Sequence, residues 1–174
     1  YKHSKIYDIK LNKEEIEILE FFSTTPKDSL IATWYKSKYF TDSIQYYSKR
    51  RVLFSGGMYY PFHKGYVDEF RKRIHDFSDA YFADNISQVK ALRDKWDVDY
   101  ILFNPEHLVK SEYEFQPFYS YNNKNRVKNK VHILNRIKDK LSVFQTEQYY
   151  VLDLNKLEQV SIPYDLRKAE GKAD

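Results

Sequence analysis

The stretch Arg50-Arg-Val-Leu-Phe-Ser-Gly-Gly-Met-Tyr-Tyr-Pro-Phe-His-Lys-Gly-Tyr66 reads as a short buried strand opening into a glycine-hinged aromatic loop and then a helix. Three of the four glycines in the chain lie within it. In a sequence this poor in glycine, such concentration predicts positive φ or the close approach of another group, a ligand being one reason for it. The loop is therefore the first place to seek a site, and the strand, loop and helix order sets the fold class.

Upstream, Leu11-Asn12-Lys13-Glu14-Glu15 supplies a hydrophobic residue, an N-cap and an acid three positions later, and Ile16, Leu19 and Phe22 recur at helical spacing. A helix over 13–23 follows from this. Thr25-Pro26 stops it, and the apolar run 30–34 reads as a first strand. Thr41-Asp-Ser-Ile-Gln-Tyr-Tyr-Ser48 reads as a capped amphipathic piece that leads into the second strand, Val52–Ser55. Downstream, a long helix over about 66–82 carries the stripe Tyr66, Phe70, Ile74, Phe77 and Tyr81. Its other face pairs Glu69 with Arg73 and Lys72 with Asp76 at i,i+4, the spacing of a solvated surface.

A further helix over about 87–96, capped by Asp84 or Asn85, delivers the third strand, 98–103, which Asn104-Pro105 ends. Residues 111–125 are rich in Ser, Tyr, Asn and Phe and read as a long loop. Helical period resumes over 126–140, two β-rich runs at 142–145 and 149–154 suggest a hairpin around Thr146-Glu147, and 167–174 reads as a polar tail. Alternating strands and helices predict one α/β domain over 1–166. It is three-layered, with a mainly parallel sheet of about 4–5 strands flanked by helices and a C-terminal antiparallel pair. Ligands in such sheets sit beyond the carboxyl ends of the strands, which is where Tyr35-Lys36, Ser55-Gly56-Gly57 and Asn104-Pro105-Glu106 are expected to meet.

Composition narrows the classes. The chain has 174 residues and no cysteine, so disulfides and thiolate metal sites are excluded, and length alone supports a core that needs no staple. With 42% hydrophobic residues and a net charge of +4 whose basic residues are dispersed, it reads as globular, with only a weak leaning toward a polyanion. No apolar run reaches the roughly 20 residues of a membrane span, which predicts a water-soluble piece. It starts at Tyr1 without methionine, as an excised domain would.

The candidate ligand-binding residues are Arg50, Arg51, Ser55, Gly56, Gly57, Tyr59, Tyr60, His63 and Tyr66: rings to stack on a sugar or base, and cations for an anionic group. The bland alternative is that the rings cap the core and His63 is structural. Ser55-Gly56-Gly57 lacks the GxGxxG spacing and the Walker lysine, so a plain turn is favoured over a phosphate cradle. The five histidines form neither HExxH nor a ligand cluster, no serine occupies a GxSxG elbow, and the acid pairs lie on helix faces. No catalytic residue, metal site or cofactor is predicted. The aromatic 113–121 loop suits a membrane interface or a saccharide, and the basic residues needed for single-stranded nucleic acid gather only after it, so no nucleic acid is expected.

Several segments in order, Thr25–Ala32, Arg50–Phe54, Pro61–Tyr66 with Arg71, Arg73 and Asp76, Ala80-Tyr81, Val98–Leu102 and Tyr150–Leu154, resemble the hydrophilic C-terminal region of multi-pass bacterial membrane proteins, many of them cyanobacterial. The membrane portion of those proteins is similar to that of the GT-C glycosyltransferases, which take sugars from lipid-phosphate carriers. The resemblance implies a non-catalytic domain on the extracytoplasmic, periplasmic side. It would pack on the transmembrane portion of its own polypeptide and help handle an acceptor or a lipid-phosphate-sugar, with Arg50, Arg51, Tyr59, Tyr60, His63 and Tyr66 as the facing surface. It also implies that the catalytic acids lie in the membrane portion. The tryptophan-rich acceptor motif of oligosaccharyltransferases has no match here, which argues against peptide acceptors. Two other readings stay open: a stand-alone Rossmann-like binder of nucleotides or nucleotide-sugars over Ser55-Gly56-Gly57, and a polyanion-binding module.

Overall fold

A computed structural model of the chain describes residues 11–34, 40–54, 63–109, 121, 124 and 131–160. Helix α1 (Lys13–Thr24) opens with the expected capping box: the Asn12 side chain accepts from the Glu15 amide at 2.8 Å and the Glu15 carboxylate accepts from the Asn12 amide at 2.9 Å. Strand β1 (Leu30–Thr33) follows, then α2 (Phe40–Ser43), which runs into a π-helical turn, Ile44–Ser48. The helix starts at Phe40, so Thr41 lies inside it and caps nothing; its buried hydroxyl has no hydrogen-bond partner. Strand β2 is short, Arg51–Val52.

Helix α3 (Lys64–Tyr81) begins two residues earlier than its apolar stripe does. Helix α4 (Ile86–Trp96) has Asn85 as its cap, accepting from the amides of Ser87 and Gln88, and ends on Asp97 in the left-handed region at φ 58. Strand β3 (Tyr100–Phe103) leads through Asn104 into a 3-10 turn, Pro105–Leu108. Of the helix expected over 126–140, residues 126–130 lie outside the described residues. Val131 and His132 are not helical, and α5 (Ile133–Leu141) starts where the Ile133 amide donates to the Ala83 carbonyl at 2.8 Å. Strands β4 (Ser142–Gln145) and β5 (Tyr150–Asp153) complete the sheet, and a 3-10 helix, Leu154–Gln159, closes the described chain. The expected loop over 111–125, apart from Tyr121 and Lys124, and the 167–174 tail lie outside the described residues.

The five strands order as β2-β1-β3-β5-β4, with β1 parallel to β2 and β3, and β5 antiparallel to both β3 and β4. Successive side chains of each strand point to opposite faces, and here both faces are covered. Ala32, Ile101, Phe103 and Leu152 join α3, α4 and α5 in one core. Ile31, Leu102 and Val151 join Ile18, Leu19 and Phe22 of α1, with Phe40 and Ile44, in the other. The three-layer α/β architecture read from the sequence is the architecture observed.

Candidate functional site

Because β1, β2 and β3 are parallel and adjacent, their carboxyl ends share one edge of the sheet, where a ligand crevice is expected. The described part of that edge is closed. Trp34 after β1, Phe54 after β2 and Asn104 after β3 are 2%, 5% and 1% exposed. The closure comes from α3, whose successive turns visit successive strand ends. Phe70 meets Phe54 at 6.3 Å between ring centroids, Phe77 meets Phe54 at 5.4 Å and Trp34 at 4.9 Å, and Tyr81 meets Phe103 at 5.2 Å. The stripe that made this helix legible is thus laid along the rim of the sheet, and aromatic area fills the space.

Within this apolar packing sits one polar cluster. The Tyr81 hydroxyl accepts from the Asn104 amide at 3.0 Å, donates to the Asn104 carbonyl at 3.3 Å and is hydrogen-bonded to His107 Nδ1 at 2.9 Å, the direction of that last bond following the imidazole tautomer. Tyr149, just before β5, stands edge-on to His107 with ring centroids 6.3 Å apart. Burial pushes its hydroxyl up to about 12; the hydrogen bond to Asn104 opposes that shift, and Glu14, Glu15 and Glu106 add to it. Tyr149 therefore stays neutral across the physiological range. Asn104, His107 and Tyr81 are at most 2% exposed and Tyr149 is 7% exposed, so the cluster fixes the end of β3 and shows almost no surface to a substrate. Residues 81, 104, 107 and 149 lie far apart in sequence. Their only local sign was the Asn104-Pro105 strand stop.

The residues singled out from the sequence do not form one group. Arg50 and Arg51 enter β2 from its amino end, whereas Ser55, Gly56, Gly57, Tyr59 and Tyr60 follow its carboxyl end and lie outside the described residues. Arg50 is 7% exposed and is used inside the fold. Its guanidinium donates to the Ser48 carbonyl at 2.7 Å, the Ser23 carbonyl at 2.8 Å, the Thr25 hydroxyl at 3.2 Å and the Thr25 carbonyl. With its donors on carbonyl oxygens and the Thr25 hydroxyl, it ties the end of α1 to the π turn, a structural use that the sequence did not reveal. Arg51 is exposed, and its guanidinium donates to the Asp28 carbonyl at 2.9 Å through Nε.

His63 and Tyr66 are exposed at the start of α3, with His63 in the N-cap position but making no side-chain cap. Gly65 lies in the first turn of that helix, and a Cβ there would meet His63 Nδ1 at 3.6 Å, an ordinary contact. Neither positive φ nor close approach explains that glycine. Among the described residues, no group of three or more His, Cys, Asp or Glu side chains could hold a metal ion, and no helix is long and apolar enough to cross a membrane.

No protein-family model matches the chain, and no curated protein matches it. Among solved structures, the C-terminal globular domain of an oligosaccharyltransferase from Archaeoglobus fulgidus is similar, with a TM-score of 0.50 and 14% identity, over 83% of this chain and 99% of that one. At that identity the likeness speaks to the fold.

Proposed function

We propose that this chain is a non-catalytic accessory domain on the extracytoplasmic face of a multi-pass, GT-C-like membrane glycosyltransferase, packed on the transmembrane portion and assisting in the handling of an acceptor or lipid-linked sugar. The observation that carries the reading is the fold likeness over nearly the whole length of the C-terminal globular domain of an oligosaccharyltransferase. The ordered segments that resemble the hydrophilic region of GT-C-like proteins support it independently of that match. Fold alone does not assign activity, so the catalytic step stays with the membrane portion of the parent.

The surface offered to that portion is the beginning of α3, where His63 and Tyr66 are exposed and follow residues 55–62 in the sequence. Arg50 is withdrawn from it, and Arg51 belongs to the other end of β2. The test is a deletion in the parent polypeptide. Removing Tyr1–Asp174 while the membrane portion remains inserted is expected to lower sugar transfer from a lipid-phosphate donor. Transfer unchanged by the deletion contradicts an accessory role.

A further inference from the structure

The π-helical turn Ile44–Ser48 carries the two most protruding tyrosines among the described residues, Tyr46 at 68% and Tyr47 at 50% exposure. Single π turns are uncommon and are found often at functional sites. The two rings meet edge-on with centroids 5.0 Å apart, and Lys49 Nζ lies 4.8 Å from the Tyr46 centroid.

The turn is held from behind. Ser48 Oγ donates to the Leu19 carbonyl at 2.8 Å, and the buried Arg50 guanidinium, bonded to the carbonyls of Ser23 and Ser48, clamps the turn to the end of α1. The rings stand on a fixed base, so little main-chain order is lost when something lands on them.

Cations gather at the same corner. Lys49 and Arg51 flank Arg50 in sequence, and Arg51 Nε donates to the Asp28 carbonyl at 2.9 Å, which brings in the turn that carries Lys27. Lys27, Lys49 and Arg51 are exposed and, among the described residues, none of them pairs with a carboxylate, Glu20, Asp28 and Asp42 included. Arg50 adds a fourth positive charge, satisfied by carbonyls and the Thr25 hydroxyl and not by an acid.

This chemistry selects a class of partner. A base or a sugar stacks on open ring faces, but Lys49 lies over Tyr46 and Tyr47 stands edge-on to it, so no parallel pair of faces is offered. Rings with hydroxyl tips beside basic side chains suit the headgroup layer of a bilayer, where tyrosine is enriched and anionic lipids attract lysine and arginine. β2 is an outer strand of the sheet, and both ends of an outer strand can rest on one plane. The corner therefore extends the surface at the start of α3 and does not compete with it.

We propose that Tyr46, Tyr47, Lys27, Lys49 and Arg51 form a contact with an anionic lipid bilayer, the rings entering the headgroup layer and the cations meeting lipid phosphates. The contact stands on the chemistry of this corner and not on the accessory-domain reading. It is read as vesicle binding and not as sugar transfer, so the two fail separately.

The test is flotation of the full chain with vesicles of phosphatidylcholine alone and of phosphatidylcholine with about 30% phosphatidylglycerol, at lipid up to about 10 mM, the range that a few cations and two rings give. Binding is expected to the mixed vesicles and not to phosphatidylcholine alone. Lys49 is left-handed at φ 57, a conformation asparagine tolerates, so Lys49→Asn removes the charge without strain and is expected to weaken binding about fivefold. Tyr46→Gln with Tyr47→Gln removes both rings and is expected to weaken it about tenfold, whereas Tyr46→Phe with Tyr47→Phe retains it. All these positions are exposed, so the thermal midpoint is expected to stay unchanged. Absence of binding to the mixed vesicles, or binding that survives loss of both rings, overturns the proposal. So does equally tight binding of heparin that the glutamine variants leave intact, which marks a surface for soluble polyanions.

Discussion

The Tyr81 hydroxyl lies 2.9 Å from His107 Nδ1, joining the end of the long helix to the turn that follows β3 in an interior that water does not reach. Tyr81→Phe keeps the ring and removes one oxygen, leaving the buried Asn104 amide without that acceptor and His107 without that partner. The expected cost is about 1–3 kcal/mol, the penalty for stranding a buried polar group. Urea unfolding should show a lower midpoint at unchanged slope, since the surface exposed on unfolding is the same.

Arg50 is expected to be among the most sensitive polar positions. Arg50→Ala strands the carbonyls of Ser23, Thr25 and Ser48, and loss of about 2 kcal/mol or more is predicted by equilibrium denaturation. Arg50→Lys should recover little, because a lysine ammonium cannot reproduce the planar fork that reaches separate acceptors. Arg51→Ala, at an exposed position, should fall within about 0.5 kcal/mol of the parent.

Thr41→Val tests the opposite case. The hydroxyl is buried without a partner, so replacing it by a methyl group is expected to be neutral or to stabilise by up to about 1 kcal/mol. A loss above that size in a thermal or denaturant melt reveals a hydrogen bond that the structure lacks.

These sites also mark where the sequence was readable. Local signals carried the fold: Asn12 with Glu15, Asn85 before α4, the apolar runs of β1 and β3, and the Thr146 turn between β4 and β5 depend on neighbours a few residues away. The site was less legible because its contacts are distant. Asp76 reads as a partner of Lys72 four residues earlier, yet it binds Lys95 and Trp96 across the helix pair. Arg50 looked available because its partners are main-chain carbonyls and the Thr25 hydroxyl, which leave no acid in the sequence to betray them. Glu69 with Arg73, a pair within one helix, is present at 3.3 Å as its spacing implied.

The stack of His75 on Tyr121 gives a pH dependence. Desolvation lowers the His75 pKa below its usual 6.5 and outweighs the pull of Asp79 and Asp76, while Arg71 adds to the lowering. The unfolded chain then binds this proton more readily than the folded one. The contribution is fully present above about pH 6.5 and is lost as pH falls below that value through the lower folded pKa. Thermal midpoints should decline from about pH 6.5 toward 5, and His75→Phe, which keeps a ring against Tyr121, should flatten that decline. Glu158, whose pKa is lowered first by the hydrogen bond from Lys90 and then by that from Arg93, contributes above its usual value of 4.5 and loses that contribution only in stronger acid.

The proposed extracytoplasmic placement of this domain can be tested directly, because the chain has no cysteine of its own. Lys27→Cys, on an exposed turn between α1 and β1, introduces one thiol into the parent polypeptide. In intact cells, a membrane-impermeant maleimide is expected to label this variant above the unsubstituted parent, and permeabilisation should add little. Labelling that requires permeabilisation, or a parent reading frame with no series of long apolar segments, contradicts the account.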